Sequence, residues 1–454
     1  MKGIFNFFRD LAHYRSAVLG MLIIGLLIAL AIYTVIALPY DQAINLWRGG
    51  EEVWGDYPRN ALPEWMNVFA NNTLAPTIIL DSQGNANVKK QIQEIGTDMR
   101  TADFTIPFEY TSDGFPTEIN LYLSAQFKQK KPQATIKWKT PDGREISLGD
   151  ITVGTRERYS ISIDQKLIRK FNDVNPEIAL FAKEGTTDSK TIKPQVLKGK
   201  YQLVIEGLTF EAGSTLDAKL VIYGQTYGVA GTDHKRRDLM IALLWGTPIA
   251  LAFGFLAAVG STLITFSIAA IGTYFGGWLD AGIQRLTEIN SVLPTLPILI
   301  LIGTFYTRNI WVILGVVIAL GIFSLSIKSY RSMFLQVREM PYIEAASTYG
   351  ASKLRIVFQY MMPKIAPVLI PTFVTQIPSF VFLEASLAVL GLGDPVIPTW
   401  GKILNDAYAN GALYKGYYYW VIEPAVLLMI TGLGFAVIGF ALDRIFNPRL
   451  REMM

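Results

Sequence analysis

The feature that most constrains this chain is its long stretches without a charged residue. Ala17 to Leu38 is one, and a helix rising about 1.5 Å per residue over that run crosses a hydrocarbon core of about 30 Å. Lys2, Arg9 and Arg15 precede it, as basic residues precede a cleaved signal peptide. The apolar stretch of such a peptide is only about 7 to 15 residues, so an uncleaved anchor is expected. Leu239 to Leu279 is also charge-free and close to twice what one span needs. The reading is an interfacial helix over Asp238 to Gly246, then a span from about Pro248 to Tyr274. Ile289 to Thr307, Asn309 to Ile327, Ile365 to Leu392 and Tyr417 to Leu442 complete six expected spans, the last two interrupted by Glu384 and Glu423.

Six spans place both termini on one side. With the N-terminus in the cytoplasm, Lys2, Arg9, Arg15, Arg285, Lys328, Arg331, Arg338, Lys353, Arg355, Lys364, Arg444, Arg449 and Arg451 fall in short inner segments. Only Arg308, Lys402 and Lys415 fall in short outer loops, the asymmetry of the positive-inside rule. Splitting Leu239 to Leu279 into two spans would put the basic stretch from Lys328 to Lys364 outside. Residues from about 39 to 238 are therefore expected outside the cytoplasm. Trp311, Trp400, Trp420 and Tyr417 to Tyr419 cluster at the outer ends, as an aromatic belt does.

Between the first two spans the pattern changes to period two, as in Thr135 to Thr140, Arg158 to Ile163 and Tyr201 to Ile205, the mark of half-buried strands. Pro141-Asp142-Gly143 is a turn, because Pro presets φ and Gly accepts φ > 0. Thr77 to Leu80, Phe104 to Tyr110, Glu118 to Ala125, Ile178 to Ala182 and Lys219 to Tyr223 read as further strands. The expectation is an inserted all-β, sandwich-like domain of immunoglobulin or jelly-roll type. The chain then divides into 1–38, a β-rich domain over 39–228, and a helical domain over 229–454. Trp47, Trp54 and Trp65 are expected to be exposed ahead of the strands, where packing or anchoring is favoured over ligand contact.

Composition closes several routes. Lys and Arg total 41 against 37 Asp and Glu, too even a balance to point to nucleic acid. Two His and no Cys remove most transition-metal and thiol chemistry, and the β domain must hold itself by packing without disulfides. No Gly-x-x-x-x-Gly-Lys-Ser/Thr phosphate loop occurs, so this chain does not itself hold ATP in that manner. No catalytic residue, cofactor or metal site is expected.

The most informative motif runs from Tyr342 to Pro363, the expected coupling loop lying over about 341–363. Small residues Ala345, Ala346, Gly350 and Ala351 let a short helix seat closely in a groove, while Glu344 near its start suits the helix dipole and meets a basic partner. This stretch resembles the EAA loop of ABC importer membrane subunits: Glu-Ala-Ala, three residues, Gly, nine residues, Ile-x-Leu-Pro. Glu344, Ala345, Ala346, Gly350 and Pro363 match in register, and Tyr360 and Met362 stand where Ile and Leu are usual. Gly231 to Leu239, followed by Trp245-Gly246, resembles the segment before the second span in dipeptide and oligopeptide permeases, with Arg236 replacing the usual Gly. Physically, Asp233 can cap a helix whose Arg237 and Asp238 lie at headgroup level, in a capping or a gating role. Tyr274 to Asp280, Leu383 to Gly393, Pro398 to Gly401 and the ending Asn447 to Arg451 are similar to the same family. Glu384, a carboxylate deep in an expected span, should face the bundle interior or a water-filled path, either lining or gating the path or holding the packing. Pro294, Pro297 and the Gly-rich 391–393 segment are expected to break helices.

The resemblance implies the six-helix permease fold of a type I ABC importer, in a multi-pass protein of a bacterial or archaeal plasma membrane. It implies a second homologous permease, two ATPase subunits carrying ATP and Mg, and an extracytoplasmic solute-binding protein as partners, besides the lipid bilayer. Peptides are the expected cargo, with oligosaccharides or nickel complexes as alternatives within the class. A membrane-anchored receptor or adhesion protein acting through its β domain is the alternative of another class.

Overall fold

Where apolar and polar residues alternate this chain pairs into sheets, and where apolar residues run on it coils into long helices. The computed structural model describes residues 14–446 apart from 71, 85–87, 97 and 187–193. Lys2, Arg9, Arg449, Arg451 and the Asn447 to Arg451 ending lie outside the described residues. Two compact units are formed, one from Met1–Arg48 with Met240–Met454, the other from Gly49–Leu239. The second unit thus takes in the segment after 228 and releases the helix over Tyr40–Arg48 to the first.

Among the described residues nine strands build the Gly49–Leu239 unit: β1 (Ile78–Asp81), β2 (Lys89–Glu94), β3 (Arg100–Tyr110), β4 (Glu118–Gln126), β5 (Gln133–Lys139), β6 (Glu145–Thr152), β7 (Arg156–Ser160), β8 (Gly199–Thr209) and β9 (Thr215–Tyr223). They pair antiparallel in two sheets, ordered β1-β9-β4-β7 and β2-β3-β8-β5-β6. Alternate residues of each sheet enter one core: Leu121, Leu123, Leu220 and Ile222 from the first, Phe104, Ile106, Trp138, Leu203 and Ile205 from the second. Trp138 has Phe108 and Phe181 at 5.5 Å and Tyr201 at 6.0 Å between ring centroids, packing that stands where a cysteine-free domain has no covalent brace.

Three details depart from the sequence pattern. Ile178 to Ala182 is not a strand: Pro176–Ala179 is a helical turn with Pro at its start, the position where a missing N–H costs nothing. β2 has one apolar residue among Lys, Gln and Glu and lies at a sheet edge, so it carries no alternation to read. β6 pairs through a register shift at Ile136/Lys137 that interrupts its periodicity. Trp47 and Trp54 are buried rather than exposed, whereas Trp65 is half exposed.

The other unit is helical: α1 (Arg15–Ala37), α2 (Tyr40–Arg48), α3 (Leu239–Phe275), α4 (Gly277–Val292), α5 (Thr295–Phe305), α6 (Ile310–Ile322), α7 (Ser326–Arg338), α8 (Pro341–Thr348), α9 (Met362–Leu387), α10 (Trp400–Ala409) and α11 (Tyr419–Phe446). The helical stretch around α9 runs from Lys353 to Leu392, with π-helical turns at Ile356–Met361 and Ala388–Leu392. Among the described residues four helices are long and apolar enough to cross a membrane, and six spans result only if the bent pairs α4/α5 and α6/α7, broken by 75° and 49°, each count as one. At the α6/α7 break Asn290 donates to the carbonyls of Leu320 and Phe323, and Thr265 to that of Ile322 at 2.9 Å, so the freed acceptors are satisfied within the protein.

Asp238 to Gly246 does not form a separate interfacial helix, because α3 is continuous from Leu239 through Pro248. The carbonyl four residues before Pro248, on Leu244, loses its helical donor to the proline; the Thr34 hydroxyl of α1 lies 3.5 Å from it, with its own shorter bond to Leu30 O at 2.8 Å. Pro294 stands at the α4/α5 break, but Pro297 sits in the first turn of α5, where no N–H is required, and does not interrupt it. The 391–393 segment does end its helix, with Gly391 at φ 85°. Replacing Trp138 by Ala should cost the β unit about 3–5 kcal/mol, measured as a lower thermal midpoint for that unit in the detergent-solubilised full chain, with helical circular dichroism preserved.

Candidate functional site

The loop around Glu344 is built by a short helix with a defined start and stop. Pro341 opens α8 and Glu344 lies in its first turn, where a carboxylate is favoured by the helix dipole. At the other end Gly350 has φ 80°, its N–H donates to Ser347 O at 3.0 Å, and the Ala351 N–H donates to Ala346 O at 3.0 Å. This is the paired closure of a Schellman motif, which needs a left-handed residue at the Gly350 position. Ile343 is the buried anchor, packed with Phe334, Val337, Ile356, Val357 and Met361. Glu344, Ala345, Ser347, Thr348 and Tyr349 remain exposed, Tyr349 at 92%. Pro363 is exposed beyond the π-helical turn, in the first turn of α9.

The same layer is tied to the neighbouring helices by charge pairs. Arg331 of α7 grips Asp280 of α4 with Nε to Oδ1 at 2.8 Å and a second nitrogen to Oδ2 at 2.5 Å, the two-point geometry that makes an Arg–carboxylate pair strong. Arg338 donates to Thr273 O near the end of α3 at 2.9 Å. Gly276 and Gly277, both with φ near 60°, make the turn from α3 to α4 that brings Asp280 into place.

At the opposite end of the bundle the structure gathers motifs that are far apart in sequence. Glu384 is buried and hydrogen-bonded to the Thr399 hydroxyl. Thr399 also caps α10 by accepting from Lys402 N. Trp400 donates from Nε1 to Leu243 O at 2.9 Å, and its ring fills the space where a side chain on Gly246 would stand. Gly401 lies equally close to Ala385 and Ala388. Asp394 accepts from Ile310 N at 3.2 Å, and Asn309 from Trp311 N at 2.9 Å, so the start of α6 is capped twice. Glu384 borders a cavity of about 10 Å3, with Phe253, Arg308, Ile310 and Asp394 among its walls, a volume on the scale of one water.

Asp233, Arg237 and Asp238 belong to the β unit. Asp233 is fully buried and accepts from Arg237 Nε at 2.6 Å, from Arg237 N at 2.9 Å and from Lys235 N at 2.8 Å. Asp238 closes the turn by bridging to Thr232. Arg236 takes φ 67°, a conformation that costs a non-glycine residue about 1–2 kcal/mol. Its guanidinium donates to Tyr57 O at 2.6 Å, pairs with Glu118 at 2.5 Å and stacks 4.3 Å over the Tyr223 ring, contacts that offset the strain. Burial pushes the Glu118 carboxyl up, but the Arg236 charge and the bonds from Asn120 and Arg236 outweigh it and hold the group below its ordinary value. Sequence reasoning marked Arg236 only as a replacement for glycine and missed its part in the ion pair with Glu118, and it missed Thr399 as the partner of Glu384 and cap of α10.

Residues 250–452 match the family described as binding-protein-dependent transport system inner membrane component. An oligopeptide transport system permease protein of Bacillus subtilis (strain 168) is 30% identical over 224 residues, 49% of this chain and 72% of the relative. A glutathione transport system permease protein of Pectobacterium atrosepticum is 28% identical over 49% of this chain and 73% of the relative. A dipeptide transport system permease protein of Bacillus subtilis (strain 168) is 28% identical over 49% and 69%.

Two outcomes follow from these contacts. Gly246→Leu should drive the Trp400 ring out of its seat and lower the thermal midpoint of the helical unit, whereas Gly25→Leu, where nothing lies within 4 Å of a new Cβ, should not. Because the folded Glu118 is held below its ordinary 4.5, its stabilisation is present above that pH and is lost as pH falls through the folded value. Glu118→Gln should therefore lower stability at pH 7 and flatten the acid limb, read by thermal unfolding between pH 3 and 7.

Proposed function

The chain belongs to the inner membrane components of binding-protein-dependent transport systems, and from that membership we propose that it is the second permease of an ATP-driven importer of peptides. It is a multi-pass membrane protein and a transport subunit. Relatives named for oligopeptides, glutathione and dipeptides support the cargo class. In this reading the chain forms half of the pathway beside a homologous permease, two ATPase subunits hold ATP and Mg, and a solute-binding protein delivers substrate from outside. Six spans, cytoplasmic termini and an extracytoplasmic 39–238 segment belong to the same reading, supported by the basic residues of the inner segments.

The observation that carries the proposal is the form of α8. Ile343 fastens it to the bundle, Gly350 closes it, and Glu344, Ala345 and Tyr349 face away. Such a helix, with Ala346 half buried against its own bundle, can sit in a partner's groove and pass a push into α7 and α9. We assign Glu344, Ala345, Ala346, Gly350 and Pro363 to this coupling. Glu384 in the helical unit, and separately Asp233, Arg237 and Asp238 in the β unit, are assigned to the translocation path or its gating, with the Glu384–Thr399 bond and the Asp233–Arg237 pair as the contacts that hold them.

The test is affinity capture of the C-terminally tagged chain from native membranes in mild detergent, with ATPase activity and labelled-peptide uptake measured in parallel. ATPase subunits and a second permease should be recovered with the wild-type chain. Glu344→Lys and Tyr349→Ala should lower ATPase recovery and uptake at least several-fold while the second permease is retained. Undiminished ATPase recovery in both variants would remove coupling from α8, and capture of the chain alone would turn attention to a receptor role for the β domain.

A further inference from the structure

The β unit carries an apolar surface patch that neither its core nor the transport reading uses. It is made by the 3-10 turn Glu64–Val68, the following Phe69, and Val229. Trp65 is 48% exposed, Val68 81%, Phe69 79% and Val229 65%. The four are contiguous: the Trp65 ring stands edge-on to Phe69 at 6.3 Å, and its Nε1 donates to Val229 O at 2.9 Å. The polar side chains of the turn are engaged by backbone N–H groups, Glu64 at the exposed edge of the patch beside Val229 and Asn67 behind it. Glu64 accepts from Gly228 N at 3.1 Å, and Asn67 accepts from Leu74 N at 3.0 Å. A surface turn that ties down its polar side chains and presents its apolar ones is built to meet an apolar medium.

Covalent geometry limits where that medium lies. Val229 is two residues from Gly231, whose carbonyl accepts from Leu239 N at 3.2 Å, so the Trp65 indole is within about 13 Å of the first residue of α3. The far end of α3 is accounted for separately, since Phe266, Ala269 and Ala270 pack with Ile343, Phe334 and Ile356 in the layer of the coupling loop. The remaining helix from Leu239 to Thr265 is about 40 Å long, the thickness of a bilayer with its headgroups. Resting on the orientation proposed above, this sets Leu239 at the outer headgroup level.

We propose that Trp65, Val68, Phe69 and Val229 form an interfacial foot by which the β domain rests in the headgroup and upper acyl region of the outer leaflet. Trp is suited to that zone, with an apolar ring and an N–H already satisfied by Val229 O. The foot adds a lipid contact to the β domain beyond its covalent connections to the spans.

The absence of Cys makes the test direct. Single cysteines at Val68 and Phe69 carry a nitroxide in the full chain reconstituted in nanodiscs of phosphatidylethanolamine and phosphatidylglycerol. A control cysteine at Gln129 lies in the turn after β4, at the end of that strand away from Glu118, about 30 Å along it. Collision with oxygen, which concentrates in lipid, is compared with collision with a water-soluble nickel chelate. The expected result is a shift toward oxygen at 68 and 69 relative to 129, unchanged when a solute-binding protein is added. Nickel access equal to that at 129 would overturn the proposal. Nickel access that is lost only on adding the binding protein would also overturn it and assign the patch to that protein. Because both sites are exposed, neither label disturbs the fold, and a loss of the lipid signal in a Trp65→Ser background would confirm that the patch acts as one surface.

Discussion

Inside hydrocarbon no water completes a hydrogen bond, and the helical unit is organised around that deficit. Its helices carry internal prolines and two sharp bends, and the bends free backbone groups. Nearby side chains take these up: Asn290 and Thr265 at the α6/α7 break, Asp394 and Asn309 at the start of α6. The polar residues that stud these apolar segments therefore secure breaks in the backbone, and the breaks in turn set how the segments fold back on one another.

Close approach is the second organising element. Glycines at 246 and 401 let α10 lie against α3 and α9 with the indole of Trp400 between them, and Glu384 reaches Thr399 because that approach is made. At the other end Gly350 releases the chain from α8 immediately after the exposed face, so that Ile343, with Ala346 beside it, anchors a helix whose outer face stays open. The β unit solves its own problem differently, with an aromatic cluster around Trp138 and an arginine held in a left-handed conformation by Glu118, Tyr57 and Tyr223.

Much of this was legible in the residues. Charge-free length located α1, α3, α9 and α11, and period-two alternation located β3, β4, β5, β8 and β9. The spacing from Glu344 to Pro363 marked the loop, because a small-residue helix closed by Gly leaves a local signature. The continuity of α3 was not legible, since Pro248 reads as a break until Thr34 of α1 is seen beside Leu244 O. β2 was missed because an edge strand of Lys, Gln and Glu needs no alternation. Ile178 to Ala182 misled because a buried helical turn and a short strand present the same apolar run.

The sequence by itself determined what depends on neighbours in the chain: where polypeptide can cross a bilayer, where it must pair as sheet, and where a turn requires glycine. Only the tertiary structure decided what depends on distant partners. Arg236 reads as a substitution at a glycine position until Glu118, 118 residues away, is brought against it. Glu384 reads as an isolated intramembrane charge until Thr399 meets it. The physical reason is common to both: a buried charge is tolerable only with a partner, and sequence shows the need while folding alone supplies the partner.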